Sequence, residues 1–192
     1  MRLGREGERH VGQFLERFRE SGFHIFHDVV TGDANIDHVL IGEKGIFVVE
    51  TKFLSKPTRG QCRIIATEVG VYANGALLDR NPIVQVKAQA NWLNNYFGEA
   101  GFKVPYQCAV VFPNWFVEPA DFKQLGTWVL EPKGLPAFVE NKPIKISASD
   151  AKALAPYLSN YWTVTIESGV MRRVGSKYFH FTGFGCLLYR RM

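Results

Sequence analysis

Two acids and a lysine, Asp37, Glu50 and Lys52, stand at the ends of two short apolar runs in the first third of this 192-residue chain. Carboxylates brought together can hold a divalent cation, and an ammonium beside them can favour hydroxide and stabilise negative charge gathering on phosphorus, which neither acid can do. That is the equipment of a metal-dependent phosphodiesterase. The bare pattern of an acid, a gap and Glu-x-Lys has a second reading, surface charge at strand ends. The elements around it have to decide between the two.

His38 to Gly42 and Gly45 to Val49 are rich in Val, Ile and Phe and are separated by Glu43-Lys44, which predicts two strands joined by a tight turn. If the loop has two residues, 42 pairs with 45, and the ladder carried outward sets Asp37 directly opposite Glu50. Their Cβ atoms would then be about 4.5–5.5 Å apart, with Lys52 on the same face because side chains alternate. A three-residue loop with Gly45 as a bulge slips the register by one and sends Asp37 to the other face; the sequence leaves both registers open. Two like charges buried at the end of an apolar ladder call for a compensating cation. Hard oxygen ligands favour Mg2+ or Mn2+ over zinc, and no Cys/His cluster competes for the role.

Two helices are placed to support that pair. Val11, Phe14, Leu15 and Phe18 repeat at helical spacing over residues 3–20, and Glu8, three residues before Val11 and seven before Leu15, could share the face turned to the core or be an N-terminal-turn glutamate favoured by the helix dipole. Asn81-Pro82 is a helix start, an N-cap followed by proline at the first helical position, for a helix over 82–97 with Ile83, Val86, Ala90, Leu93 and Phe97 as its apolar stripe. Gln85, Gln89, Trp92 and Tyr96 form the adjacent stripe. Gln85, in the first turn, could hydrogen-bond a phosphate or a metal-bound water, or be an ordinary half-exposed glutamine.

Together these residues resemble the nuclease-related domain, NERD, a branch of the PD-(D/E)xK phosphodiesterase superfamily. The matching pieces are Gly4-x-x-Gly7-Glu8, Ile36-Asp37-His38-Val39, Gly45-Ile46-Phe47-Val48-Val49-Glu50-Thr51-Lys52 and Asn81-Pro82-x-x-Gln85, in order across about residues 4–112. Ile36 stands where the superfamily's name has proline, as is usual in this branch. The resemblance implies an α/β fold with a restriction-endonuclease-like α-β-β-β-α-β core, a mixed central sheet flanked by helices. It further implies Asp37 and Glu50 as metal ligands, Lys52 as the catalytic ammonium, and Glu8 and Gln85 in support, Glu8 through a second metal position or a bound water.

The order of elements suits such a core on its own terms: helix 3–20, strand 23–30, hairpin 36–51, helix 82–97 and strand 106–112. Residues 61–68 and 70–78 read as an added hairpin carrying Arg59 and Arg63 near the active face. Beyond 112 the pattern predicts a short strand at Trp128-Val129-Leu130, a helix from a Ser149-Asp150 cap to about Asn160 with Pro156 inside it, and strands over 161–192. The expected division is a nuclease domain over 1–130 and a C-terminal extension over 131–192 packed on the same domain.

In that last stretch Arg172, Arg173 and Lys177 lie among Tyr178, Phe179 and Phe181, a mixture suited to phosphate contact with base stacking, or to a half-buried terminal hairpin with basic residues on its wet face. A net charge of +5 and a pI near 9.2 agree with a polyanionic partner. No apolar run is long enough to span a bilayer and the N-terminus lacks the apolar segment of a signal peptide, so a soluble cytoplasmic protein is expected. Cys62, Cys108 and Cys186 are odd in number and widely spaced, against a disulfide framework. The reading is a metal-dependent nuclease, on DNA before RNA; its competitor is a non-cleaving nucleic-acid-binding or partner-recruiting module on the same fold.

Overall fold

A computed structural model describes residues 2–31, 35–58, 60–167, 172–174, 177–182 and 185–189, with side chains for 7–31, 35–58, 60–159 and 161. The chain divides into two compact units, Met1–Ala151 and Lys152–Met192. In the first unit, helix α1 (Arg2–Leu15) and a 3-10 turn (Glu16–Arg19) lead to strands β1 (His24–Val30), β2 (Asn35–Gly42) and β3 (Gly45–Thr51). Three short strands follow, β4 (Arg63–Ala66), β5 (Val71–Ala73) and β6 (Ala76–Leu77), and then helix α2 (Pro82–Glu99). Strands β7 (Tyr106–Val111), β8 (Phe116–Val117) and β9 (Thr127–Leu130) alternate with the short helices α3 (Phe122–Leu125) and α4 (Leu135–Glu140).

The result is a mixed α/β structure. Its main sheet runs β1-β2-β3-β7-β9, antiparallel as far as β3 and parallel beyond it. Neighbouring antiparallel strands can be joined by a tight turn, whereas the step from β3 to the parallel β7 needs a long crossover, which α2 supplies. Gly42 pairs with Gly45, Ile41 with Ile46 and so on to His38 with Val49. The two-residue loop is therefore the one adopted and the slipped register is not. Gly45, at φ 113°, takes a conformation that favours glycine, and a Cβ there would lie 2.8 Å from the Pro105 carbonyl oxygen.

All seven residues of β3 are buried, as expected of the middle strand of a sheet covered on both faces. On one face Phe47 and Val49 join Val11, Leu15 and Phe18, with Trp128, Leu135 and Val139, in a single apolar cluster. The stripe of α2, Ile83, Val86, Ala90, Leu93 and Phe97, is likewise buried and packs over β7 and β3. Asn81 caps that helix as its sequence predicts, its Oδ1 accepting from the Ile83 N–H at 3.0 Å. The added hairpin forms through β4 and β5 and grows into a separate sheet of order β6-β5-β4-β8, closed by a parallel pairing of Arg63 and Ile64 with Phe116 and Val117.

Helix α5 (Ala148–Glu167) departs from its predicted limits at both ends. Its cap is Ser147 rather than Ser149: the Ser147 hydroxyl accepts from the Asp150 N–H and donates to the Asp150 carboxylate. It also continues through 161–167, which the alternation of polar and apolar residues assigns to strand. Adding a residue to a formed helix needs no new nucleus, so a propagating helix overrides the weak preference of Thr163, Val164 and Thr165. The strands expected after it are β10 (Arg172–Val174), β11 (Lys177–Thr182) and β12 (Gly185–Tyr189), an antiparallel sheet. Cys62 and Cys108 are free thiols, and burial raises that of Cys108 to about 11; the Cys186 side chain lies outside the described residues.

Candidate active site

The β2–β3 pairing runs as far as His38 with Val49; Asp37 and Glu50 are the next residues of their strands, near enough for the Glu50 charge to act on Asp37. Glu50 is only 2% exposed, a position a carboxylate occupies only with strong partners. It has them at both oxygens. Lys52 Nζ lies 2.6 Å from Oε1, and the Gln89 amide donates to Oε2 at 2.8 Å. Lys52 shares the face by strand alternation and also donates to Gln85 Oε1 at 2.9 Å. Gln85 and Gln89 are four residues apart, one helical turn, so both meet the strand end from the same side of α2.

Asp37 accepts from the Thr51 backbone N–H at 2.8 Å. That bond favours its charged form and is outweighed. Burial, then the neighbouring charge of Glu50, push the Asp37 carboxyl up to about 8, and Glu8 adds to the effect while Lys52 works against it. The predicted pair and Glu8 thus share one field, and it is short of positive charge.

Glu8 reaches this neighbourhood because of the residue before it. A Cβ on Gly7 would lie 2.4 Å from Phe53 Cδ2 and 2.6 Å from Phe53 Cβ, so only glycine lets α1 lie this close to the chain just past Lys52. Phe53 Cβ belongs to the root of its side chain, and no ring rotation relieves the clash. Gly7→Ala is therefore expected to destabilise the fold by about 1–3 kcal/mol and lower the melting temperature by roughly 2–10 °C. An unchanged calorimetric melt would mean that α1 does not lie so close.

A polar chain outside the predicted set holds Thr51. His38, buried, faces the Thr51 hydroxyl through Nε2 at 3.2 Å and His27 Nδ1 through its own Nδ1 at 2.8 Å. His27 Nε2 in turn meets Glu16 Oε1 at 2.8 Å. Burial, with the His27 charge second, drops the His38 imidazole to about 3, so it is neutral near pH 7. Glu16 is held below the usual carboxylate range, first by Arg19 and then, against desolvation, by His27. The two histidines are cross-strand partners in β1 and β2. Without the register of those strands, nothing in the sequence links them.

The nuclease-related domain family model matches residues 3–113. This chain belongs to the nuclease-related domain family. No curated protein and no solved structure matches it. The match runs from α1 to the end of β7, so every residue of the Asp37–Glu50–Lys52 cluster, with Glu8, Gln85 and Gln89, lies inside the nuclease-related domain. Membership in a nuclease-related family implies interaction with nucleic acid.

The domain's residues differ in how far they fit the contacts expected of them. Asp37, Glu50, Lys52 and Gln85 come together, with Glu8 close enough to act on Asp37 electrostatically. Arg63 pairs with Glu118 at 2.9 Å and donates to Gln61, which ties it into the small sheet. Arg59 lies outside the described residues, as do the side chains of Arg172, Arg173 and Lys177. Among the described residues no three His, Cys, Asp or Glu side chains form a ready metal cluster, and no helix is long and apolar enough to cross a membrane. Two crowded carboxylates, one of them driven toward its protonated form by burial and then by the neighbouring acid, are nonetheless a donor set that suits a hard cation such as Mg2+ or Mn2+.

Proposed function

We propose that this nuclease-related domain chain is a metal-dependent nuclease of the cytoplasm that hydrolyses phosphodiester bonds of nucleic acid, DNA in preference to RNA, on a PD-(D/E)xK core. The observation that carries the reading is the meeting of Asp37, Glu50 and Lys52 at one strand end, with the Asp37 carboxyl raised to about 8. A purely structural ion pair would balance its charge; this site has acid in excess.

Asp37 and Glu50 would hold Mg2+ or Mn2+, with Glu8 in support through a second position or a bound water. When bound, the cation polarises a phosphate oxygen and lowers the pKa of its water. Lys52 acts from the chain itself: an ammonium has three donors, Glu50 and Gln85 take two, and a phosphate oxygen or the attacking water is the natural third partner. Gln85 holds Lys52 through its carbonyl oxygen and keeps its amide N–H groups for phosphate. Arg59, Arg63, Arg172, Arg173 and Lys177 are proposed contacts to the nucleic-acid backbone, Arg63 only by giving up Glu118.

The second reading is a binding or recruiting module that does not cleave. An assay separates the two. Purified protein is incubated with single-stranded, duplex and branched DNA and with RNA, in Mg2+, in Mn2+ and in chelator. Cleavage only with cation, abolished by chelator and restored by excess Mg2+, is expected. Salt-sensitive binding with no product under any condition would favour the module.

A further inference from the structure

We infer that Gln89 is the positioning residue that sets the spacing of the two carboxylates, by tying the Glu50 side chain to the strand that carries Asp37. The inference rests on the reading of Asp37 and Glu50 as a cation-binding pair. Gln89 Nε2 donates to Glu50 Oε2 and to the Asn35 carbonyl oxygen, both at 2.8 Å. Glu50 is on β3, and Asn35 is two residues before Asp37 on β2. One amide nitrogen, with its two hydrogens, thus joins both strands beside the two acids.

The amide can stand only one way round. Both neighbours are acceptors, so the nitrogen must face them and the oxygen must face elsewhere. That oxygen, Gln89 Oε1, is buried with no hydrogen-bond partner among the described residues. A buried orphan acceptor is a cost that a residue serving only to fill space would avoid as leucine or methionine. Gln89 is 4% exposed and reaches neither solvent nor substrate as a surface group would. What it does contribute is the direction of Glu50 Oε2. Lys52 holds Oε1, Gln89 holds Oε2, and the plane of the carboxylate is set from both ends.

Gln89→Met keeps the volume and removes both donors. Cation affinity is read without substrate, from the electron paramagnetic resonance of free Mn2+ titrated into metal-free protein, alongside the Mg2+ concentration for half-maximal cleavage. Loss of an outer partner of a metal ligand typically lowers affinity about 10–100-fold, and a fall of that size in both readouts is expected. Val86→Ala, which loosens the same helix without touching Glu50, should lower the melting temperature and leave Mn2+ affinity unchanged. Gln89→Asn keeps an amide one methylene too short to reach both acceptors; the same fall is expected, and it decides the matter if Gln89→Met does not fold. Wild-type Mn2+ affinity in the Gln89 variants, with wild type binding normally, overturns the inference and leaves the nuclease reading standing. Absence of both Mn2+ binding and cleavage in wild type overturns the two together.

Discussion

On the proposed nuclease reading, cation-dependent cleavage is expected to fall by about 100–1,000-fold in Lys52→Met, the usual loss when one preorganised charge that stabilises the transition state is removed. Lys52 is 24% exposed and anchored by Glu50 and Gln85, so its Nζ is presented at a fixed place without a conformational search. An ammonium that acts on charge developing at phosphorus contributes to kcat and little to substrate binding, so KM should change much less than kcat. Glu50→Gln should show at least the same loss, together with weakened Mn2+ binding that Lys52→Met lacks. Both chains should fold. In Lys52→Met the buried Glu50 keeps the Gln89 donor; in Glu50→Gln the buried charge is gone. Single-turnover cleavage with circular-dichroism melts of both variants checks this, and full activity in the double substitution would refute the assignment.

The metal-free protein is expected to become more stable as the pH is lowered from 8 to 6.5, against the usual behaviour of a paired carboxylate. Asp37 is raised from 3.8 to about 8, so between those values the folded chain holds a proton that the unfolded chain has released. Its stabilising contribution is full below 3.8 and is lost as the pH rises through 8. His38 runs the other way. Lowered from 6.5 to about 3, it stays neutral in the fold while the unfolded chain takes up a proton, so its contribution is present above 6.5 and is lost as the pH falls toward 3. Below 6.5 the two oppose each other, and between 6.5 and 8 only Asp37 acts. At about 1.4 kcal/mol per pH unit that window is worth roughly 2 kcal/mol, or about 4–8 °C in melting temperature.

Saturating Mg2+ should flatten the slope, because an ion replaces the proton as the source of positive charge and raises the melting temperature more at pH 8 than at 6.5. Asp37→Asn should remove both the slope and the Mg2+ response. Calorimetry of chelator-treated protein across that window is the measurement, and a melting temperature that falls on acidification would show that the acids are not crowded.

What the chain determines by itself is local. Glu43, Lys44 and Gly45 make a tight turn, the apolar residues on either side choose the core faces, and the cap at Asn81-Pro82 starts α2 at its first residue. These signals lie within a few residues of their effect, and they place Glu50 and Lys52 on one strand face and Gln85 at the helix start; which face Asp37 takes stays open between two registers until the strands pair. Where such signals conflict, the reading errs: Thr163 to Ile166 favour a strand, but the helix begun at Ser147 continues through them.

What only the tertiary structure decided is the set of partners around those groups. Glu50 and Gln89 are 39 residues apart and His38 and Thr51 thirteen; Arg63 meets Phe116 and Glu118 through a parallel pairing that no periodicity announces. Glutamines 85 and 89 look alike on the helix surface, and only the approach of α2 to β3 commits one to Lys52 and the other to Glu50. Even the place of Glu8 depends on α1 lying against Phe53, a closeness that Gly7 permits but does not announce. Backbone hydrogen bonds and caps are short-range and repeat, so they can be read along a chain. Hydrogen bonds between side chains of different elements depend on sheet order and on how closely helices approach, and those exist only once the core has formed.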